Sequence, residues 1–398
     1  MKITEVRCHL MQAGPPPFTA WTATGTSAVT GSRNWCFVTL RTEDGRIGTG
    51  EGSGWPRVVA AAIDDLRPLL IGEDADDVER LAQKLRVATM GHGQTGVVGS
   101  GAMAAIDMAL WDLKGQALDT PVVNLLGGRT RDRVPYYVHA EDAGTALAAV
   151  ARGARGVKTG GLTGVVERAH AIREAIGDDI DLMVDLHGPP WLTAADAIAI
   201  GRALEPLDLL FLEDPVAPDN LDGWRRVRDH VSLPLAAGER LALLADFRPY
   251  IEERLVDVLQ PDTGRFGGLT PMRKLAGWAE VHGLSLAPHS GSLGPVAEFA
   301  AVHLLAAIPN ALILERMDPD WPGREQVIRT SLAKVDGDLM VPSAPGLGVS
   351  IDEDFVARHP SQRNLALAGG NWNAGTEAQT LYAQARRPRT GLARGPGR

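Results

Sequence analysis

The sequence predicts an α/β protein, a modified (β/α)8 barrel of the TIM type with a small α+β domain ahead of it. Two observations support this. From residue 131 onward, short apolar runs alternate with amphipathic stretches, the texture of parallel strands wrapped by crossover helices. Seven ionisable residues, Lys158, Asp185, Glu213, Glu239, Asp262, His289 and Glu315, stand at or just beyond the ends of such runs in steps of 23 to 28 residues. One strand, one helix and two loops use that much chain in a barrel of about 250 residues. Because the C-terminal ends of parallel barrel strands share one mouth, the spacing predicts that all seven side chains open together.

In chain order, Lys2 to Leu10 alternates as a strand, and Asn34 to Arg41 and Arg46 to Glu51 flank Asp44-Gly45, a strong hairpin signal. Helical periodicity follows from Val58 to Leu70, near Val78 to Leu85, and in Ala102 to Ala117, where Ile106, Ala109, Leu110 and Leu113 share a face. Residues 1–128 therefore form the α+β domain. The barrel is expected over 129–325, with strands Val134-His139, Ala154-Lys158, Ile180-Asp185, Leu209-Glu213, Leu235-Gly238, Val256-Gln260, Leu284-Ala287 and Ala311-Glu315. Its intervening helices include Gly164-Ile176, Thr193-Leu204, Ala245-Glu253, Met272-His282 and Val296-Ala306. In 326–358, Asp336-Gly337-Asp338 and then Leu339 to Pro342 read as a late strand returning to the first domain. Residues 359–398 are rich in Gly, Ala, Asn and Arg, and read as an extended or disordered basic tail, with contact to a neighbouring subunit as the alternative.

Composition narrows the function. The formal charge of −9 and a pI near 5.6 argue against a nucleic-acid or anionic-membrane surface, so local basic groups must hold any acidic substrate. Cys8 and Cys36 are the only cysteines, too few for a disulfide framework and without zinc spacing, which makes a reduced, cytoplasmic setting the default. No signal peptide is expected at Met1 to Leu10, and Gly or charge interrupts the apolar stretches, so no membrane span is expected either. Gly91-His92-Gly93-Gln94-Thr95-Gly96 satisfies GxGxxG but follows a helical stretch, and so lacks the βαβ setting of a dinucleotide site.

The ring suggests chemistry. Asp185, Glu213 and Glu239 at three successive strand ends would crowd three negative charges, which is costly unless a cation neutralises them. An all-oxygen set suits a hard divalent ion such as Mg²⁺, with Mn²⁺ as a substitute. Taken singly, each carboxylate reads equally well as a helix cap; three in consecutive registers do not. His289, just past the seventh strand, and Asp262, one strand earlier, read as a base and the carboxylate that fixes its tautomer. His187, two residues beyond Asp185, faces the same way along a strand and can serve as an acid. Lys158 can hold a substrate carboxylate or act as a second acid or base. His170, His230 and His282 sit in helical stretches and read as ordinary residues.

Leu212-Glu213-Asp214-Pro215, Gly238-Glu239-Arg240-Leu241, Gln260-Pro261-Asp262, Gly267-Gly268, Ala287-Pro288-His289 and Pro345-Gly346-Leu347-Gly348, in this order, resemble the enolase superfamily in its mandelate racemase subgroup over roughly residues 1 to 357. The resemblance implies that the N-terminal region and a C-terminal return form a capping domain over the barrel mouth. Asp185-Leu186-His187-Gly188 most resembles D-galactonate dehydratase and related acid-sugar dehydratases. It implies that Asp185, Glu213 and Glu239 hold Mg²⁺ and that His289 with Asp262 abstracts the C2 proton of an aldonate or aldarate to a metal-stabilised enediolate. His187 would then protonate the departing 3-hydroxyl, leaving a 2-keto-3-deoxy acid, while Glu315 hydrogen-bonds the substrate carboxylate or enediolate, including as a protonated donor.

Relatives with Lys-x-Lys at the second strand use its second Lys as a base on the other face; here the stretch is Lys158-Thr159-Gly160. A racemase or epimerase, a cycloisomerase and a non-catalytic binding barrel remain as alternatives. Cap loops would bring Trp21, Trp55 and Arg57 to the pocket, and His139, Arg265 and Trp321 are candidates from the barrel side; each also reads as an ordinary packing or solvated residue. Assembly as a homo-oligomer is implied by family analogy alone.

Overall fold

The structure, a computed structural model, describes residues 1–13, 33–91, 93, 96–186, 188, 191–290, 293–361 and 384–385. Strands β1 (Ile3–Ala13), β2 (Arg33–Thr42) and β3 (Ile47–Gly52) form an antiparallel sheet in that order. Helices α1 (Pro56–Leu66), α2 (Val78–Met90) and α3 (Gly96–Ala117) cover it. Gly45 adopts a φ of +87° in the β2–β3 turn, the backbone that the Asp-Gly pair predicts.

The close fit of α3 onto β3 comes from Gly48, Gly50 and Gly52. A Cβ on these residues would lie 2.2, 1.9 and 2.6 Å from the carbonyl oxygens of Ala109, Ala105 and Gly101. Two residues of strand rise about 6.7 Å and four of helix about 6 Å, so the two series run in step. Alternation then turns Glu51 away from α3. α3 is long and apolar enough to cross a bilayer by length and composition alone, a run that the sequence reading did not single out, but 78% of its apolar window is buried inside the protein. It is the central helix of the capping core.

After α4 (Val122–Leu125), the chain runs through β4 (Arg133–His139), α5 (Ala143–Ala151), β5 (Gly156–Gly160), α6 (Val165–Ile176), β6 (Asp181–Asp185), a short β7 (Trp191–Leu192) and α7 (Ala194–Leu204). It continues through β8 (Phe211–Glu213), α8 (Leu221–Arg228), β9 (Leu235–Ala237), α9 (Arg248–Glu252), β10 (Val258–Leu259), α10 (Leu269–Val281), β11 (Ser285–Leu286), α11 (Pro295–Ala307) and β12 (Leu314–Arg316). The parallel ladder runs β11-β10-β9-β8-β6-β5-β4, and β12 pairs with β4. Between β11 and β12 there is one bridge, Leu286 with Ala311, plus the bonds Leu286 N to Asn310 O at 2.9 Å and Leu312 N to Leu286 O at 2.8 Å. The arrangement fits the expected eight-stranded barrel, with this last seam stitched by single bonds in place of a regular ladder.

Strand alternation accounts for the position of the polar ring. Tyr137, Met183, Phe211, Ala236, Val258, Ala287 and Ile313 form one buried apolar cluster drawn from successive barrel strands. Two residues further along, and so facing the same way, stand His139, Asp185, Glu213, Gln260, His289 and Glu315. The apolar layer is the floor on which the charged mouth rests.

The C-terminal segment departs from expectation. β13 (Lys334–Val335) and β14 (Asp338–Met340) form a hairpin, but Leu339 pairs with Val134 at the start of β4, so this strand extends the barrel sheet and does not return to the first domain. The link to the capping domain comes later. Leu347 N donates to Asp112 at 2.8 Å, and Gln12 N donates to His359 O at 2.8 Å just beyond α12 (Glu353–Ala357). Of the basic tail, residues 359–361 and β15 (Gln384–Ala385) are described, β15 paired in parallel with β7; the tail's arginines lie outside the described residues.

His303 of α11 joins the three parts. It is fully buried, its Nδ1 accepts from Val123 N at 3.2 Å, and its Nε2–H donates to Leu347 O at 3.0 Å. Burial pushes its pKa down to about 4. The folded value is depressed, so the contribution to stability is full above the unfolded value near 6.5 and is lost as pH falls towards 4. Wild type is expected to lose about 2 kcal/mol more between pH 7 and pH 5 in urea unfolding than His303→Gln, whose amide can make both bonds without titrating. Equal losses would show that His303 does not set this limb.

Candidate active site

At the mouth, Lys158 is almost fully buried among carboxylates. Its Nζ lies 2.7 Å from Glu213, 2.8 Å from Glu315 and 3.8 Å from Asp185. Burial opposes its charge, but Glu213, Glu315, Tyr137 and Asp185 outweigh that and hold its pKa well above the ordinary lysine value. Lys158 is thus an ammonium paired with the carboxylates of the mouth. Burial and the Asp185 charge push Glu213 up to about 8.

Glu315 opposes the sequence expectation of a protonated donor. Burial favours its neutral form, but Lys158, His289 and His139 hold its pKa well below the usual carboxylate range. It receives His139 Nε2 at 2.6 Å and Ser290 N at 2.8 Å. It is an ionised acceptor.

His289 sits between two carboxylates. Its Nδ1–H donates to Asp262 Oδ2 at 2.7 Å, and its Nε2 lies 2.8 Å from Glu239 Oε2. Burial works against the charged ring, but Glu239 and Glu315 override it and raise its pKa to about 10. A parallel bridge between residues 262 and 289 fixes the backbone of the pair, and Asp262 is further held by Gly264 N at 2.8 Å. The expected dyad is therefore brought together.

Asp185 and Glu213 are register partners on β6 and β8. Glu239 follows Gly238, whose φ of +146° and whose closeness to Gln260, 2.9 Å from an added Cβ to backbone atoms, only glycine tolerates. This bend turns Glu239 into the mouth although it lies three residues beyond the inward Ala236. Among the described residues, no three such side chains already converge on an ion position. The carboxylates are engaged by Lys158, by His289 and by Arg240, which pairs with both Glu239 and Asp214. A hard divalent ion fits the donor chemistry, because all three are carboxylates at one barrel end and Glu213 Oε1 is buried without a hydrogen-bond partner.

Two residues escaped the sequence reading. Gln260 donates to Glu213 Oε2 at 2.9 Å, and alternation from Val258 was a sufficient signal for it. Arg240 reaches Asp214 at 2.5 Å and Gly188 O at 2.8 Å and lies over the Trp191 ring at 4.9 Å; its place right after Glu239 was the only sequence hint.

Among substrate candidates, His139 and Arg265 are at the mouth. His139 binds Glu315, and Arg265 lies 3.3 Å from Asp262 Oδ2 and 3.3 Å from Glu239 O. Trp321 is taken up by the cap–barrel seam, with ring centroids 6.2 Å from Trp35, 6.1 Å from Phe355 and 5.4 Å from His359. Trp55 is 45% exposed at the start of α1, beside Arg57. Trp21 and His187 lie outside the described residues. Gly160 provides no second lysine, and a Cβ there would lie 2.9 Å from the Asp185 carbonyl oxygen, so a side chain would require the neighbouring strand to shift.

A buried cation, an imidazole held between carboxylates and an unsatisfied carboxylate oxygen define this as a proton-transferring barrel enzyme. A family model for the enolase C-terminal domain-like fold matches residues 141–355, and one for the mandelate racemase / muconate lactonizing enzyme N-terminal domain matches 10–127. The chain belongs to the mandelate racemase and muconate lactonizing enzyme family of the enolase superfamily. It is 31% identical over 364 residues to a D-xylonate dehydratase of Haloferax volcanii, covering 84% of this chain and 87% of the relative. It is 34% identical over 350 residues to a D-galactonate dehydratase of Ralstonia nicotianae, covering 81% and 90%. Among solved structures, the 3,6-anhydro-D-galactonate cycloisomerase of Zobellia galactanivorans superposes with a TM-score of 0.80 at 30% identity, covering 91% of this chain and 100% of that one. An enolase from Pantoea ananatis with bound D-gluconate and Mg superposes with a TM-score of 0.80 at 28% identity, covering 91% and 95%.

Proposed function

We propose that this protein is a Mg²⁺-dependent acid-sugar dehydratase, a hydro-lyase acting on an aldonate or aldarate. The observation that carries the reading is the His289–Asp262 dyad at 2.7 Å beside three strand-end carboxylates, joined to relatives named as xylonate and galactonate dehydratases. Asp185, Glu213 and Glu239 would hold the ion. When bound, it supplies positive charge against the charge that develops on the substrate carboxylate as the C2 proton leaves.

The protein's own groups do the rest. Asp262 accepts from Nδ1–H and so fixes Nε2 as the atom of His289 that takes the C2 proton. With the ring's pKa raised by Glu239, Nε2 carries a proton that it must lose before it can act; neutralisation of that carboxylate by an ion held at Glu239 would favour the loss. Lys158 and His139 keep Glu315 ionised at the mouth, where it can accept from substrate hydroxyls. His187 is assigned as the acid that protonates the departing 3-hydroxyl, from its resemblance to the Asp-x-His-Gly pattern. His187→Asn is expected to retain C2 exchange in D₂O while losing about 10²-fold or more in dehydration; parallel loss of both would remove this assignment.

The missing second lysine and the filled space at Gly160 disfavour a racemase. The cycloisomerase neighbour keeps a second reading in view, since proton removal beside a carboxylate can lead to either outcome. We place the enzyme in the cytoplasm, on its unpaired Cys8 and Cys36, and expect a homo-oligomer by family analogy. Screening mono- and diacid sugars with Mg²⁺ for a 2-keto-3-deoxy product tests the function. Absence of divalent-ion binding, or activity that survives EDTA, would rule it out.

A further inference from the structure

The capping strand β3 ends over the base dyad. Glu51, 1% exposed, accepts from Ala297 N at 2.9 Å and from Gly294 N with its other oxygen. Gly294 lies five residues after His289, at the start of α11. Two residues beyond Glu51, Ser53 N donates to Gly264 O at 2.8 Å, and Gly264 N in turn binds Asp262 Oδ1 at 2.8 Å. The same three-residue stretch of the capping domain thus holds the start of α11, five residues past the base, and the turn that follows its carboxylate partner. Gly264 packs so tightly there that a Cβ would lie 2.9 Å from the Ser53 Cβ and 2.7 Å from Leu293.

We propose that Glu51 is a positioning residue, through which the capping domain sets the alignment of His289 with Asp262. The anchoring is charge-assisted. A carboxylate receiving two backbone N–H groups at a helix N-terminus is a strong, directional fixture. Around Glu51 the charged groups are Arg324, which donates to Leu293 O at 2.8 Å, and Asp262. Burial raises the Glu51 pKa to about 7, opposed by the two N–H bonds and Arg324. The glycine series Gly48, Gly50 and Gly52 lets α3 press on one face of β3 so that Glu51 is delivered to the barrel from the other.

The inference rests on the dehydratase reading for its substrate, and the test separates the two. C2 deuterium exchange, kcat, KM and the primary isotope effect on C2–H are measured for wild type and Glu51→Gln with whichever acid sugar wild type turns over. The amide keeps one acceptor and loses the other. Expected are a loss of about tenfold or more in exchange and kcat, a larger isotope effect, and KM within about threefold, as misplacement of a base by a fraction of an ångström gives. A merely structural role lowers thermal stability and leaves the isotope effect unchanged, and that result overturns the inference. If Glu51→Gln does not fold, Gly294→Ala serves: φ there is −80°, which alanine adopts, but its Cβ would meet the Glu51 carboxylate at 2.9 to 3.1 Å and displace it. Wild-type exchange and isotope effect in Gly294→Ala would also overturn it. Wild type that exchanges no acid sugar defeats the dehydratase reading first.

Discussion

His289→Asn is expected to leave a folded protein that no longer exchanges the C2 hydrogen of its substrate and dehydrates about 10²- to 10⁴-fold more slowly, the range that removal of a positioned general base gives. The asparagine amide can still donate to Asp262 Oδ2, so the buried carboxylate keeps a partner and the fold is largely spared. Lost is a group that can hold a proton at Nε2. The second barrel strand offers no replacement: Lys158 is paired with Glu213 and Glu315, and Gly160 has no side chain. NMR of the C2 position in D₂O measures this directly. Exchange at the wild-type rate in the variant would move the base elsewhere.

The second large effect is on stability. Lys158→Met replaces a 2% exposed ammonium by a side chain of similar length, leaving Glu315 with uncompensated buried charge and Glu213 without its partner. Breaking a buried ion pair from one side costs about 3–5 kcal/mol, a large fraction of the stability of an ordinary domain. Urea unfolding in EDTA should show that loss, and added Glu213→Gln should recover part of it, since the two groups are in contact and couple. A loss below about 1 kcal/mol would show that water or rearranged partners satisfy these carboxylates.

Much of the fold is legible because of one simple regularity. Met183, Phe211, Ala287 and Ile313 are the last inward apolar residues of their strands, and Asp185, Glu213, His289 and Glu315 follow each by two. Charge after an apolar run is then a strand end. Glu239 broke this rule, and its place depends on the unusual backbone of Gly238, which the order of motifs revealed but periodicity did not. Gln260 was overlooked in favour of Asp262, although Gln260 is the inward residue and Asp262 reaches His289 from beyond the strand through a backbone bridge.

What stayed hidden depends on long-range packing. Leu339 looked like a strand bound for the first domain, since its alternation is the same whichever sheet receives it; only Val134, about two hundred residues earlier, decides the matter. Trp321 looked like a pocket wall because it follows the last barrel strand, but Trp35 and Phe355 claim its faces. Glu51 drew no attention as the end of a hairpin, because its partners Gly294 and Ala297 are contributed by the far side of the barrel.

The most direct measurement is the product formed from a library of acid sugars with Mg²⁺, followed in D₂O. The expected result is a 2-keto-3-deoxy acid from at least one aldonate or aldarate, formed only with the divalent ion and lost in His289→Asn. A C2 epimer or a rearranged ring as the sole product, or a 2-keto product that persists in EDTA, would contradict it.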